Sequence, residues 1–220
     1  MRVEIREKRF GATCVLGALT LETAPGEIVA LTGPSGVGKT TLMRIIAGLD
    51  ETFDGRVSGA DRVAMAFQAP TLLPWRNAAA NLTLTTGVDA ATAGQLLAEV
   101  GLAGRDDAFP GQLSLGQQRR LGLARALAAE PDLLLMDEPF VSLDEATAAR
   151  MRALTLKLLE RRCVATLMAT HDLLAAAEMA DRVVALGGAP ATLTGETRIE
   201  TPRGARDVEA EAARLRAALR

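Results

Sequence analysis

Apolar residues in this chain gather in short, unbroken runs separated by longer stretches of mixed character. Val3–Ile5, Leu19–Glu22, Glu27–Thr32, Val63–Phe67, Leu133–Met136, Val164–Ala169 and Arg182–Leu186 predict β-strands. Several are continuously apolar, the pattern of strands covered on both faces. Helical periodicity fills the gaps: Lys39–Ala47 ending at Gly48, Gln117–Ala129 ending before Pro131, and Glu145–Arg161 after Asp144 as N-cap. Strands alternating with helices imply an α/β fold with a largely parallel central sheet. From about Thr71 to Ala129 the alternation stops and the pattern is mostly helical. There Asp89 caps a helix carrying Leu96, Leu97 and Val100, and Gly101 closes it. This predicts a helical subdomain (about 71–130) inserted into a core built from about 1–70 and 131–188.

After Gly187-Gly188 the pattern turns polar and irregular, predicting a tail over about 189–220 that ends in a helix. Val208, Ala212, Leu215 and Leu219 share one face of that helix. Glu209 and Glu211 lie early in it and Arg214, Arg216 and Arg220 late, matching the helix dipole. The apolar face predicts packing on the core; a partner surface is the other reading.

Composition narrows the class. A chain of 220 residues, 49% hydrophobic and 24% charged, is globular and long enough for one domain with a subdomain. A net charge of −2 gives no general grip on nucleic acid. Cys14 and Cys163 lack metal-ligand spacing and predict two buried thiols in a reducing compartment. The first residues lack the apolar segment of a signal peptide, and no apolar run reaches the roughly 18–20 residues that cross a bilayer. Any membrane role is therefore expected to come through a partner.

The chemistry concentrates behind the run Ile28–Leu31. Gly33-Pro34-Ser35-Gly36-Val37-Gly38-Lys39-Thr40-Thr41 reads G-x-x-x-x-G-K-[ST] between a predicted strand and a predicted helix. Its glycines let backbone N–H groups close around a polyphosphate, and the helix start adds partial positive charge. Lys39 is placed to reach the β- and γ-phosphates, and the Thr40 hydroxyl to ligate Mg²⁺. Such a site also needs an acid for the Mg²⁺ shell and a group that activates water. Asp137 and Glu138, ending the run Leu133–Met136, supply both: Asp137 for the metal and Glu138 as general base. An isolated pair of acids at a strand tip would simply be solvated; behind a P-loop it predicts nucleotide hydrolysis.

Upstream of these acids lies Leu113-Ser114-Leu115-Gly116-Gln117-Gln118-Arg119-Arg120, continuing to Ala124-Arg125-Ala126. Ser114 is a good N-cap, so the following helix aims its positive end at whatever lies in front. The run resembles the signature of ATP-binding cassette (ABC) ATPases, commonly L-S-G-G-Q followed by R-Q-R-x-x-x-A-R-A. The resemblance covers nearly the whole chain. It implies a P-loop NTPase (RecA-like) core with a mostly parallel sheet, an antiparallel β subdomain and an inserted helical subdomain. It also implies a homodimer in which Ser114, Gly116 and Gln117 complete the ATP site of the other subunit. Phe10 matches the aromatic that stacks on adenine, with core packing as the competing role. Gln68 matches the Q-loop glutamine, which contacts Mg²⁺ and water and senses the membrane partner. Ser142-Leu143-Asp144 matches the D-loop, and His171 the switch histidine that bridges the γ-phosphate and orients water. Leu115 departs from the common glycine, and a working site with weakened closure is expected.

Phe67-Gln68-Ala69-Pro70-Thr71-Leu72-Leu73-Pro74-Trp75 resembles the F-Q-x-x-x-L-L-P-W stretch of nitrate/sulfonate/taurine-type bacterial importer ATPases. That likeness implies an ATP- and Mg²⁺-dependent motor on the cytoplasmic face of the inner membrane. It implies transmembrane permease subunits docking near Gln68–Trp75 and a periplasmic or extracellular substrate-binding protein in the same system. Trp75 either offers a docking anchor or fills the subdomain core. A P-loop kinase has no reason to carry Ser114, Asp144 and His171 together. A soluble cassette ATPase without a membrane partner is the remaining alternative.

Overall fold

The computed structural model describes residues 1–219. Its framework is one ten-stranded sheet. Five parallel strands form the centre in the order β9 (Arg182–Gly188), β4 (Ile28–Thr32), β8 (Ala165–Ala169), β7 (Leu133–Asp137) and β6 (Val63–Ala66). The antiparallel part is organised by β1 (Arg2–Phe10), which pairs with β2 (Thr13–Leu16), β3 (Leu19–Glu22) and β5 (Asp54–Ser58). A last strand, β10 (Ala191–Arg198), runs antiparallel to β9 and touches β2, joining the two parts.

Alternation along the central strands divides the core in two. Val29 and Leu31 of β4 and Leu133 and Leu135 of β7 face α1 (Lys39–Ile46) and the antiparallel strands. Ile28, Ala30, Leu134 and Met136 face the remaining helices. Residues i and i+2 of a strand point to one side, so a fully apolar strand serves two layers at once. The helices after β6 are α2 (Ala78–Thr86), α3 (Ala90–Glu99) and α4 (Leu115–Ala128), followed after β7 by α5 (Glu145–Arg162) and after β8 by α6 (Leu173–Met179). Asn77, Asp89, Ser114, Asp144 and Asp172 each accept a backbone N–H at a helix start, satisfying donors that the helix cannot.

Several elements differ from the sequence reading. β1 extends to Phe10 because its charged residues alternate with the inward Val3 and Ile5 and a buried Lys8. β2, β5 and α6 were not legible as elements, and β10 replaces the expected irregular tail: its Thr-rich sequence, with Gly195 in its middle, forms a strand because β9 supplies a paired edge. α7 (Val208–Ala218) packs on the core through Ala212 and Leu215, as its apolar face predicts. The buried Arg206 fixes its approach, donating to the carbonyls of Ala177, Ala180 and Thr201 at 2.9, 2.7 and 2.7 Å. Arg220, read with Arg214 and Arg216 as a basic end to this helix, lies outside the described residues. The expected pair of buried thiols is corrected. Cys163 is exposed at the left-handed turn that ends α5, and Cys14 is half-buried. No helix among the described residues is long and apolar enough to cross a membrane.

Candidate functional site

The C-terminal ends of β4, β7, β8 and β6 lie side by side, and the loops leaving them carry the residues singled out from sequence. Ligands of open α/β sheets bind in this position. From β4 the chain passes through Gly33 into the P-loop and then α1. Gly33 has φ +146, and a Cβ there would lie 2.3 Å from the Leu186 carbonyl oxygen, so the loop presses directly on β9. Lys39 folds back over the loop and donates from Nζ to the carbonyls of Gly33 and Pro34 at 2.8 and 3.0 Å. Those bonds hold the ammonium at the inner face of the loop. Ser35, Gly36 and Val37 form the loop's outward turn, Gly38 is the N-cap of α1, and Thr41 follows in its first turn.

Thr40 Oγ1 donates to Asp137 Oδ2 at 2.9 Å, bringing together two hard oxygen donors from the P-loop helix and the tip of β7. Burial pushes the Asp137 carboxyl up from its ordinary range, and the Glu138 charge adds to this. The Thr40 hydrogen bond and Lys39 oppose it. Among the described residues, no cluster of three or more His, Cys, Asp or Glu could hold a metal by itself. A single hydroxyl–carboxylate pair suits Mg²⁺, which keeps several waters and takes phosphate oxygens alongside one or two protein ligands. Gln68 lies in an exposed bend just after β6, and no hydrogen bond within the described residues holds its amide.

Glu138 follows at φ +47, a left-handed conformation that costs an L-residue about 1–2 kcal/mol. Its N–H donates to Ala169 O at 2.9 Å. The strained turn swings the carboxylate toward the tip of β8, where His171 Nδ1 lies 3.0 Å from both carboxylate oxygens. Positive φ at non-glycine residues recurs at Thr71 behind Gln68 and at Ser142, and also outside the site at Glu130 and Cys163. The sequence-predicted groups Lys39, Thr40, Asp137, Glu138 and His171 thus converge on one face.

Ser114, Gly116 and Gln117 do not join them. They form the first turn of α4, where Ser114 Oγ accepts from Gln117 N–H and Gln117 Oε1 accepts from Ser114 N–H at 2.8 Å. Gln117 therefore spends its carbonyl on the cap. Ser114, Leu115 and Gly116 line a separate cavity of about 600 Å³ together with Ser142, Asp144 and Arg150. The α4 start and the Ser142–Asp144 loop thus share one surface, distinct from the P-loop face.

Phe10 is 54% exposed, which excludes core packing as its role. Lys8, missed from sequence, lies 4.5 Å from its ring centroid and is held by Asp50 at 2.6 Å and Thr52 O at 2.7 Å. One face of the ring is thereby braced by a cation. The same-strand Lys-x-Phe spacing was the available signal. Trp75 is 68% exposed, so it does not fill the subdomain core. Arg125 and Arg119 of α4 stood in the signature-like run with no role read for either from sequence. Arg125 donates to Thr71 O at 2.9 Å, and Arg119 to Pro139 O at 2.8 Å.

A parallel sheet with a phosphate loop, a hydroxyl–carboxylate pair and a His-braced glutamate at its strand tips is the construction of a P-loop nucleoside triphosphatase. A family model described as ABC transporter matches residues 16–141, and the chain belongs to that family and is an ATP-binding ATPase. Curated relatives extend over almost all of it. A protein named aliphatic sulfonates import ATP-binding protein SsuB 1, from Xanthomonas axonopodis pv. citri, is 42% identical across 99% of this chain and 92% of its own. Relatives named aliphatic sulfonates import ATP-binding protein SsuB, from Granulibacter bethesdensis and Mycobacterium sp. (strain MCS), are each 47% identical. They cover 95% and 91% of this chain and 88% and 84% of their own. Among solved structures, a dimeric post-hydrolysis state of the ATP-binding cassette MJ0796 with ADP and Pi aligns with a TM-score of 0.78. It is 26% identical and covers 92% of this chain and all of its own.

Proposed function

We propose that this chain is the ATP-hydrolysing subunit of a membrane importer for small organic anions of the aliphatic sulfonate class, working as a homodimer. The observation that carries the motor role is the Glu138–His171 contact at 3.0 Å beside the Thr40–Asp137 pair. A carboxylate so placed accepts a proton from water, and His171, bonded to it, fixes its direction. The P-loop from Gly33 to Thr41 holds the phosphates, Lys39 moves its charge from the loop carbonyls to the β- and γ-phosphates, and Phe10 supports the adenine. Thr40, Asp137 and Gln68 are the residues that would hold Mg²⁺, which supplies neutralisation of phosphate charge when bound.

The second half of each site comes from the other subunit. Ser114 and Gly116 lie on a surface away from their own P-loop, at the start of α4, where the helix dipole favours an anion. The dimeric state named for the MJ0796 structure supports this arrangement. ATP then favours the closed dimer by its extra contacts there, and hydrolysis removes that preference. The core and helical insertion divide near residues 70 and 130, while β10 carries the core sheet past residue 188 to Arg198, so the tail proper starts after that strand.

Membrane coupling runs through the segment from Gln68 to Trp75. Trp75 and the partly exposed Leu72-Leu73 offer an aromatic and aliphatic anchor for a permease helix. Thr71 at the foot of this segment is tied to α4 by Arg125, so a push on it reaches the helix bearing Ser114. The subunit sits peripherally on the cytoplasmic face, and a substrate-binding protein delivers cargo from the other side. The names of the relatives support the sulfonate class. Reconstitution with the permease and binding protein tests it: an aliphatic sulfonate raises ATPase activity, and Trp75→Ala abolishes that stimulation while sparing the ATPase rate of the isolated subunit. Stimulation retained by Trp75→Ala, or absent with every sulfonate, overturns the corresponding part.

A further inference from the structure

Arg119 is a buried cation, 9% exposed, and among the described residues no carboxylate lies within ion-pair distance of it. Its Nη1 donates to Pro139 O at 2.8 Å, while its Nε is buried with no partner. Beside it lies a cavity of about 30 Å³, lined also by Phe67, Met136 and Phe140. A guanidinium stays charged in proteins, so burying one without a counter-ion is destabilising whatever its role. Here its bond goes to the carbonyl one residue beyond Glu138, whose left-handed backbone must be held in place by its surroundings. Ala169 holds the turn from the β8 side, and the Val141 N–H reaches Glu138 O only at 3.4 Å. From the α4 side, Arg119 supplies the one hydrogen bond among the described residues. Arg119 also stands where the common signature pattern quoted above has glutamine, a shorter and uncharged donor.

We infer that Arg119 is a positioning residue: by gripping the Pro139 carbonyl it holds the strained Glu138 turn at the angle water activation needs, and links that turn to the helix carrying Ser114. A displacement of α4 is thereby passed to the base itself. Since α4 presents Ser114 to the other subunit, the state of the dimer and the aim of Glu138 are mechanically connected. The inference rests on the reading of Glu138 as general base.

The test uses the full-length protein and three substitutions: Arg119→Met, which keeps length and removes the donors; Arg119→Lys, which keeps a charged donor; and Arg119→Gln. Steady-state ATPase is measured alone and in combination with Glu138→Gln. Arg119→Met is expected to lower kcat about 10-fold or more with KM for ATP changed less than about 2-fold, since a misaimed catalytic group loses rate without losing binding. Arg119→Lys should recover to within about 3-fold of the parent, and Arg119→Gln should fall between the two. Adding Arg119→Met to Glu138→Gln should give no further loss, because the group being aimed is already disabled. A kcat for Arg119→Met within about 2-fold of the parent overturns the inference, as does a parallel change in kcat and KM, or a full further loss in the double variant. If Arg119→Met does not fold, Arg119→Lys and Arg119→Gln decide by the same comparison. Normal turnover in Glu138→Gln alone removes the underlying reading of the base, an outcome separate from the others.

Discussion

Two glycines of one loop give a sharp test of how the P-loop is held. Gly33 and Gly36 both have positive φ, at +146 and +77. A Cβ added at Gly36 meets nothing within 4 Å, whereas at Gly33 it would lie 2.3 Å from Leu186 O and 3.2 Å from Val37 Cγ1. Gly36→Ala therefore costs only backbone strain, about 1–2 kcal/mol. Gly33→Ala carries that strain and must also part the loop from β9, adding about 1–3 kcal/mol of overpacking. For a chain of this size each kcal/mol is about 2–4 °C in Tm. Thermal melts should show Gly36→Ala lower by about 3–5 °C and Gly33→Ala lower by about 10 °C. The displaced loop also moves the carbonyls of Gly33 and Pro34 that hold Lys39. ATP affinity of Gly33→Ala, read by titration with a fluorescent nucleotide, should fall at least about 10-fold, a change worth about 1.4 kcal/mol. If Gly33→Ala melts with the parent protein, or no lower than Gly36→Ala, the contact with β9 does not set the loop and the reasoning fails.

The other expectations follow from single contacts. Glu138→Gln should bind ATP yet lose roughly 10²–10⁴-fold in turnover, and elute with ATP as a dimer in size exclusion; a normal rate would take the base role from Glu138. Leu115 is 44% exposed at the start of α4 and lines the Ser114 cavity. Leu115→Gly should keep or raise the ATPase rate, and a large loss would show that the leucine is needed. The Lys8 hydrogen bond holds the Asp50 carboxyl below its usual range. A carboxyl lowered on folding stabilises above its unfolded pKa, near 3.9, and loses that contribution as pH falls through the lower folded value. Asp50→Asn should thus cost about 2 kcal/mol at pH 7 and less below about pH 4, by chemical denaturation across that range; an equal loss at both ends would contradict the pairing.

Much of this protein was set by local sequence. Short continuous apolar runs bounded by turn residues fit strands covered on both sides, and their alternation with helical periodicity made the parallel core and the inward helix faces legible without coordinates. The P-loop was legible too, since its glycines, Lys39 and Thr40 do their work within nine consecutive residues. The Asp137-Glu138 pair sat visibly at a strand tip, and Ser114 read as an N-cap because capping is a four-residue affair.

Tertiary structure alone decided what depends on distant chain segments. β10 is a strand only because β9 offers its edge, and Cys163 is exposed because the chain turns left-handed at the end of α5. Whether Phe10 and Trp75 were core or surface turned on which neighbours cover them: Trp75 is left mostly exposed, and Lys8 covers one face of the half-exposed Phe10. The 33-residue span between Glu138 and His171 is closed by two adjacent strands rather than by spacing. Arg119 offered no periodic signal, because its partner is a backbone carbonyl 20 residues away, and every residue carries a carbonyl. Side-chain patterns encode which faces are buried; partnerships with the main chain of another element are written only in three dimensions.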